Sequence, residues 1–384
     1  MTALADKSAA AISQIVRYPT IGILGGELDA MGLPAPIPCD RKNLFAPRGV
    51  CYHPSDGSLW VSDTGHHRVL AWRSPHSGTA AADRVLGQST GEARNRGGDA
   101  GPRSFNVPCG ITPFGEGIAV ADSWNHRVLI WLHLPWEDQE PDFVLGQKSF
   151  SDVLPNRGAT AAQANTLYWP SGVFADGERL YIADTGNRRV LIWDYPPKSH
   201  GVPANRVLGQ TDFHCRDENG GGTPSASSMR WPHALCLWQG RLCVADAGNN
   251  RVMIFATSLP DSHTNCDILL GQGSKYGSLH NAGASVASEN SLSMPYGISS
   301  FGPWLIVADT ANSRLLGWHI DRLQTGAPAE ALFGQVSFER SGDNAWGAVR
   351  DSSLCWPYGI HIYQNHIAIA DTGNSRISMY GLSL

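Results

Sequence analysis

Six side chains with broad chemical capability occupy one position of a repeated motif. The motif is Pro-x-Gly, with alanine replacing glycine in one copy, and its middle residues are Arg48, Cys109, Ser171, His233, Tyr296 and Tyr358. Thiolate and imidazole groups bind zinc, copper or iron, and a guanidinium group binds carboxylate or phosphate. Tyrosine hydroxyls orient ligands or donate protons. We therefore predict that these six residues form a ligand-binding site.

His233 and Cys109 are the candidate metal ligands within this set. A transition metal such as zinc is the cofactor that a thiolate and an imidazole would bind. The alternative for His233 is a hydrogen-bonding role, because a single histidine is weak evidence for a metal site. Arg48 also has two interpretations: it binds the anionic group of a ligand, or it contacts water or an ion-pair partner.

The motif begins a unit that occurs six times along the chain. Each unit continues with an apolar segment ending in aspartate, a Thr-Gly-Asn turn, an arginine and a second apolar segment. The arginine always follows the aspartate by five residues, and successive units are 59 to 63 residues apart. The aspartates are Asp63, Asp122, Asp184, Asp246, Asp309 and Asp371.

The segments within a unit have the length and composition of short β-strands. In the third unit they are Gly172 to Phe174, Leu180 to Ala183, Val190 to Trp193 and Val207 to Gln210. All are rich in β-branched or aromatic residues and are bounded by turn formers. Four antiparallel strands per unit predict one propeller blade, with a crossover of about 20 residues after each Val-Leu-Gly-Gln strand. The predicted fold is an all-β, six-bladed β-propeller.

The sixth unit lacks its fourth strand, since no Val-Leu-Gly-Gln segment follows Tyr380. A similar segment, Ile23 to Gly26, lies near the N-terminus. We predict that this N-terminal strand completes the last blade and closes the ring, which removes both exposed sheet edges. The predicted organisation is an N-terminal extension over residues 1–17 and a single propeller domain over residues 18–384.

The aspartates and arginines are assigned to structure, because identical residues in every copy do not provide the asymmetry that catalysis needs. An aspartate at a strand end can accept backbone N–H bonds from the adjacent turn, and the arginine can bridge it to nearby carbonyls. The turn glycines are expected to adopt positive φ. They are Gly65, Gly186, Gly248 and Gly373.

Composition and charge exclude several classes of function. Net charge is -5, the pI is near 6.3, and the five crossovers together carry ten basic and ten acidic residues. Nucleic acid is therefore not an expected partner, because tracking phosphates needs a positive excess. No apolar run approaches the roughly 18 residues of a membrane span. Eight cysteines without a Cys-x-x-Cys pair, and no visible export signal, predict a cytoplasmic protein with reduced thiols.

At the turns the sequence resembles the NHL-repeat propellers. Their mark is Asp-x-x-Asn-x-Arg-Val, seen here at Asp184 to Val190 and at Asp371 to Ile377. The repeated Val-Leu-Gly-Gln strands look like a bacterial branch of that family. The resemblance extends from about residue 20 to the end. It implies a six-bladed fold and leaves function open, because members include RNA-binding and protein-binding platforms, sensor domains and a metal-dependent lyase.

The lyase of this family cleaves peptidyl-α-hydroxyglycine and takes its zinc ligands from Pro-His motifs in alternate blades. The segment Trp231 to Leu235, which contains Pro232-His233, is similar to such a motif. The other alternate blades offer Cys109 and Tyr358, so the sequence departs from the three-histidine pattern. This departure argues against the lyase activity itself.

Two functions follow from the sequence. The first is a cytoplasmic binding or scaffold protein that receives a protein partner or small molecule at the crossover face and channel mouth. Strand directions place the six motif residues on that same face. The alternative is a metal-dependent lyase or hydrolase with a channel site around His233, Cys109 and Arg48.

Overall fold

The β-strands fold into six antiparallel sheets arranged in a ring. A computed structural model describes residues 13–28, 37–75, 81–88 and 99–384. The N-terminal strands are β1 (Ser13–Gln14) and β2 (Val16–Gly25). Blade 1 contains β3 (Gly49–Tyr52), β4 (Leu59–Asp63), β5 (Arg68–Trp72) and β6 (Arg84–Leu86). Blade 2 contains β7 (Pro108–Phe114), β8 (Gly117–Asp122), β9 (Arg127–Trp131) and β10 (Phe143–Leu145).

The remaining blades repeat the same order. Blade 3 contains β11 (Gly172–Ala175), β12 (Leu180–Asp184), β13 (Arg189–Trp193) and β14 (Arg206–Leu208). Blade 4 contains β15 (Pro232–Trp238), β16 (Arg241–Asp246), β17 (Arg251–Ile254) and β18 (Ile268–Leu270). Blade 5 contains β19 (Pro295–Phe301), β20 (Trp304–Asp309), β21 (Arg314–His319) and β22 (Ala331–Phe333). Blade 6 contains β23 (Pro357–Tyr363), β24 (His366–Asp371) and β25 (Arg376–Leu382).

The N-terminal strand β2 completes blade 6, as predicted. It pairs antiparallel with β25, and Leu24 faces Ile377 in the register. The shorter β1 pairs in parallel with β22 and adds a fifth strand to blade 5. Within the described residues, pairing therefore includes Ser13, which precedes the predicted domain boundary at residue 18. The first twelve residues of the predicted extension lie outside the described part of the chain.

Six apolar clusters form the core, and each lies between two neighbouring blades. The large aromatic side chains of the third strands fill these clusters. Trp131 and Trp193, for example, are buried between blades 1 and 2 and between blades 2 and 3, respectively. Burial between blades rather than within them makes the ring cooperative. No helix among the described residues is long and apolar enough to cross a membrane.

A one-turn 3-10 helix follows the aspartate of each second strand. These helices are Thr64–His66, Ser123–Asn125, Thr185–Asn187, Ala247–Asn249, Thr310–Asn312 and Thr372–Asn374. The prediction of positive φ at their glycines is wrong, because the left-handed residue comes after the asparagine, as at Arg188 with φ 56°. Glycine is needed at this position because the backbone of another segment comes too close to leave room for a side chain. A Cβ on Gly186 would overlap the carbonyl oxygen of Tyr168.

Within the described residues, further 3-10 turns lie in four of the crossovers and after β21. They are Pro155–Gly158, Glu218–Gly221, His280–Gly283, Asp343–Trp346 and Ile320–Arg322. In the crossover that leads into blade 3, Asn156 exchanges side-chain hydrogen bonds of 2.8 and 2.9 Å with the turn residue Asn187. The amide of Gln147 donates to the Leu154 carbonyl at 2.9 Å. Residues 154–156 of the crossover are therefore fastened to both flanking blades, through Gln147 after blade 2 and Asn187 in blade 3.

The aspartate and arginine repeats form buried ion pairs, which confirms their structural assignment. In blade 3 the Arg189 Nε donates to Asp184 Oδ2 at 2.8 Å, and both side chains are fully buried. The remaining arginine nitrogens donate to carbonyls of the two flanking crossovers, Gln163 and Thr166 on one side and Phe213 on the other. One guanidinium thus anchors two crossovers.

Neighbouring blades are also joined by a hydroxyl at five of the six turns. The Thr185 hydroxyl donates to the Pro232 carbonyl of the next blade at 2.5 Å. The same bond from Thr372 to Pro47, at 2.6 Å, closes the ring across 325 residues of sequence. Blade 4 has Ala247 at this position and therefore lacks the donor. In the other blades the hydroxyl holds the first residues of the following inner strand against the blade before it.

We expect the Arg189→Met variant to lose about 3–5 kcal/mol of unfolding free energy, because it leaves the buried Asp184 carboxylate without its partner. The matched control is Arg103→Met. Its ion pair with Glu140 is 59% and 54% exposed, so we expect a loss below about 1 kcal/mol. Urea unfolding measures both. Equal losses in the two variants would contradict the structural role of the buried pair.

Candidate functional site

The middle residue of the Pro-x-Gly motif lies where the strand pairing is irregular. In blade 4, Pro232 pairs with Asp246 and Ala234 pairs with Ala245, so His233 has no partner of its own. Tyr296 is left out of the pairing of blade 5 in the same way. A bulge at this place redirects the side chain away from the regular pleat. It turns these residues toward the central channel.

The glycine of the motif brings the inner strands together. A Cβ on Gly49 would overlap the carbonyl oxygen of Cys109, and one on Gly172 would overlap that of His233. A Cβ on Gly359 would overlap the carbonyl of Arg48, where blade 6 meets blade 1. Each glycine therefore approaches the middle residue of the following blade. Consecutive middle residues become neighbours around the channel, although about 60 residues separate them in sequence.

All six predicted site residues line one cavity of about 300 Å³ in the channel. This is the small end of the range for ligand pockets. Their convergence agrees with the sequence prediction, and their role in ligand binding stays a prediction. The middle residues pack beside the 3-10 turns to which the crossovers are fastened. This end of the cavity therefore lies on the crossover face, as at Ser171, whose hydroxyl forms a hydrogen bond of 2.9 Å with that of Thr185 in the adjacent turn.

Four consecutive blades build an aromatic and cationic wall on one side of this cavity. The ring centroids of His233 and Tyr296 are 4.2 Å apart, and those of Tyr296 and Tyr358 are 4.5 Å apart. The Arg48 guanidinium carbon lies 4.9 Å from the centroid of Tyr358. These separations are typical of aromatic and cation-π contacts. The two remaining blades contribute the much smaller Ser171 and Cys109, so the cavity is asymmetric.

Arg48 is the one charged residue among the described residues that line the cavity. Its Nη1 lies 4.0 Å from the Cys109 sulfur, and its Nε is buried without a hydrogen-bond partner. The groups that attract its charge are the Cys109 thiol and the hydroxyls of Tyr358 and Tyr296. Burial opposes the charged form of the guanidinium, while these groups together raise its pKa. The cavity therefore contains a cation without a counter-charge.

His233 stays neutral over the physiological range. Burial and the positive charge of Arg48 lower its pKa to about 3. Burial also raises the pKa of Tyr296 and of Tyr358, although Arg48 opposes the rise in both. Both tyrosines are therefore protonated at neutral pH and present O–H donors. The hydroxyl of Tyr296 donates only weakly within the fold, to the Met294 sulfur at 3.9 Å.

The geometry offers little to a metal ion. Cys109 donates its S–H to the Val107 carbonyl at 3.5 Å and faces the Arg48 cation, while His233 packs against Tyr296. Across the described ranges, no three or more His, Cys, Asp or Glu side chains group where they could hold a metal. The residues present therefore do not match a zinc site, which needs at least three protein ligands.

A second ring of lining residues was not predicted from the sequence. It lies three residues after the first ring, deeper in the channel, and comprises Thr112, Phe174, Cys236, Ser299 and His361. The Nδ1 of His361 accepts a hydrogen bond from the Tyr52 backbone N–H at 3.2 Å, and burial lowers its pKa to about 4. Continuing the strand register inward from the motif was the signal that could have found this ring.

Comparison with known proteins supports the repeat and the fold. The NHL repeat model matches residues 46–72 and 229–255. No curated protein matches the sequence. A protein of unknown function from Bacteroides thetaiotaomicron has a similar structure, with a TM-score of 0.52 and 13% identity over 95% of this chain and 75% of that one.

Two further solved structures are more distant. Raptor from Chaetomium thermophilum aligns with a TM-score of 0.45 and 10% identity over 96% of this chain, which spans only 30% of the Raptor chain. Virginiamycin B lyase from Staphylococcus aureus aligns with a TM-score of 0.44 and 12% identity, over 88% of this chain and 97% of that one. At these identities the likenesses concern the fold alone.

We expect acid to destabilise the fold through His233. In the folded state the pKa of His233 is about 3, whereas a histidine in the unfolded chain has a pKa near 6.5. The contribution of the neutral His233 ring to the unfolding free energy is therefore fully present above pH 6.5 and is lost as the pH falls toward 3. Between pH 7 and pH 5, the unfolding free energy of the natural protein should fall by about 2 kcal/mol more than that of His233→Gln.

Urea unfolding at the two pH values measures this difference. An NMR titration of the His233 ring gives an independent value, and Arg48→Met should raise its pKa because the neighbouring positive charge is gone. A ring that titrates near 6.5 in the folded protein would contradict the neutral, buried state.

Proposed function

We propose that this six-bladed propeller with NHL repeats is a cytoplasmic binding protein that receives a small ligand or part of a protein partner in its channel. The observation that carries this proposal is the convergence of six different side chains on one cavity of about 300 Å³. If this position served only to close the ring, the same residue in every blade would be sufficient. The variety at the channel, set against the uniform ion pairs behind it, favours recognition of one specific molecule.

The surroundings of the mouth support binding without large rearrangement. Each described crossover is fastened by its own glutamine or asparagine, as Gln147 and Asn156 show. A preformed mouth lowers the entropy lost on binding. Trp124, Trp169 and Trp356 are about half exposed beside the turns and motifs of this face. The rings of Trp124 and Trp169 lie 6.5 Å apart, and exposed tryptophans are typical of binding surfaces.

Nucleic acid fits this face poorly. The crossovers carry equal numbers of basic and acidic residues, whereas binding to a phosphate backbone depends on clustered positive charge. A protein partner or a small molecule does not need such an excess. We therefore propose a protein partner or a small molecule as the ligand, and not nucleic acid.

We expect Ser171→Trp to block the channel, because Ser171 lies on the open side of the cavity, opposite the aromatic wall. The matched control is Ser199→Trp, which places the same side chain at an exposed position outside the channel. The probe is a set of small neutral and anionic aromatic fragments, detected by ligand-observed NMR. Fragments that bind the natural protein should bind Ser199→Trp equally and Ser171→Trp at least tenfold more weakly.

Circular dichroism melting establishes that both tryptophan variants are folded. Fragment binding that is unchanged in a folded Ser171→Trp variant would contradict a channel site. Fragment binding that is lost in both variants would indicate a surface effect of tryptophan rather than a blocked cavity.

The enzyme alternative, a metal-dependent lyase or hydrolase at His233, Cys109 and Arg48, has a direct test. Under the binding proposal, protein purified without an affinity tag from zinc-supplemented medium contains no stoichiometric metal by elemental analysis. The natural protein and the double variant His233→Ala with Cys109→Ser should then give the same low value. Stoichiometric zinc that disappears in the double variant would favour the alternative.

A further inference from the structure

The arginines of this structure fall into two groups that differ in their partners. The six arginines of the repeats are buried against an aspartate, with Nε to Oδ2 distances of 2.7 to 3.0 Å. Arg48 is also largely enclosed, yet its neighbours are Cys109, whose S–H donates to the Val107 carbonyl, and two phenols whose pKa is raised by burial. A largely enclosed charge without a carboxylate partner is costly, so we expect Arg48 to add little to the stability of the fold.

From this unpaired cation we infer that the channel binds a small organic monocarboxylate with a flat or apolar body. The inference rests on the proposed binding function and names its ligand class. The carboxylate pairs with Arg48, and the body lies along the wall of Tyr358, Tyr296 and His233. A bidentate pairing of carboxylate and guanidinium supplies both the counter-charge and the missing hydrogen bonds.

The sign of the ligand follows from the lining of the cavity. No aspartate or glutamate is present among the described lining residues. The two lining histidines, His233 and His361, are neutral at pH 7 because burial lowers the pKa of each. The cavity therefore carries one positive charge, and an anion entering it is attracted and not repelled by any neighbouring carboxylate.

The size of the charge selects a monoanion such as a carboxylate over a phosphate dianion. One guanidinium neutralises one negative charge. A phosphate dianion in the same cavity would retain an uncompensated charge, and burying such a charge is strongly unfavourable. The neutral hydroxyls of Tyr296 and Tyr358 can donate hydrogen bonds to a carboxylate oxygen, but they supply no further positive charge.

The body of the ligand follows from the shape of the cavity. Rings from blades 4, 5 and 6 form a continuous surface with centroid separations of 4.2 and 4.5 Å. Ser171 and Cys109 leave the opposite side open. A planar ring or a short hydrocarbon chain can stack or pack on that surface, and a volume of about 300 Å³ limits it to a small molecule.

Isothermal titration calorimetry with benzoate, phenylacetate and hexanoate tests the inference, with benzamide as the neutral analogue and inorganic phosphate as the competing anion. We expect benzoate to bind the natural protein at least tenfold more tightly than benzamide. Arg48→Met should remove this preference, and Arg48→Lys should retain part of it. Tyr296→Phe and Tyr358→Phe should weaken benzoate binding less than Arg48→Met does.

Stability supplies a readout that needs no ligand. Because Arg48 has no carboxylate partner, Arg48→Met should melt at the same temperature as the natural protein or higher. Substitution of a repeat arginine, as in Arg189→Met, should lower the melting temperature. A large loss of stability in Arg48→Met would mean that Arg48 serves the fold, and it would overturn the inference.

The binding outcomes separate the ligand class from the proposed function. Equal binding of benzoate and benzamide, unaffected by Arg48→Met but blocked by Ser171→Trp, overturns the carboxylate and leaves the channel site standing. Tighter binding of phosphate than of every carboxylate also overturns it, as does no carboxylate binding at millimolar concentration. A tripeptide with a free C-terminus that binds more tightly than phenylacetate and than its own amide identifies a peptide end as the source of the carboxylate.

Discussion

The buried pair of aspartate and arginine at the end of each second strand is the interaction on which the other features of the ring depend. In blade 3, Asp184 accepts the backbone N–H of Tyr168, which leads into the inner strand. Arg189 binds that carboxylate and the carbonyls of the crossovers before and after the blade. One ion pair therefore fixes the turn, the start of the inner strand and the path of two crossovers. Six repetitions determine where the mouth of the channel lies and which residues face it.

The same type of side chain has the opposite role at Arg48. A repeat arginine is satisfied within the protein, so it contributes to folding and is unavailable to a ligand. Arg48 is enclosed by a thiol and aromatic rings, which attract a cation weakly and leave its Nε without a hydrogen bond. The contrast separates structure from recognition within one fold. Side chains that repeat are satisfied internally, whereas Arg48, the cation among the described channel-lining residues, is left for a molecule from outside.

Much of the architecture could be predicted because the strands and turns of each blade are encoded locally, within one repeat. The aspartate spacing gave the number of blades, and the Ile23 to Gly26 segment indicated how the ring closes. The left-handed residue of the turn was assigned wrongly to Gly186, because the sequence does not show that Tyr168 packs against it. The second ring, with Thr112 and His361, was missed because lining the channel depends on how far neighbouring inner strands converge. Whether Arg48 had a partner also depended on contacts between blades that are remote in sequence.

The central claim is that the unpaired guanidinium in the channel is completed by a carboxylate from a ligand. A crystal structure of the protein grown with benzoate tests this most directly, since it shows both the place and the orientation of the anion. The account predicts density in the channel with the carboxylate oxygens within hydrogen-bonding distance of Arg48 and the ring against Tyr358 or Tyr296. An empty channel at saturating benzoate, or benzoate whose carboxylate points away from Arg48, would contradict it.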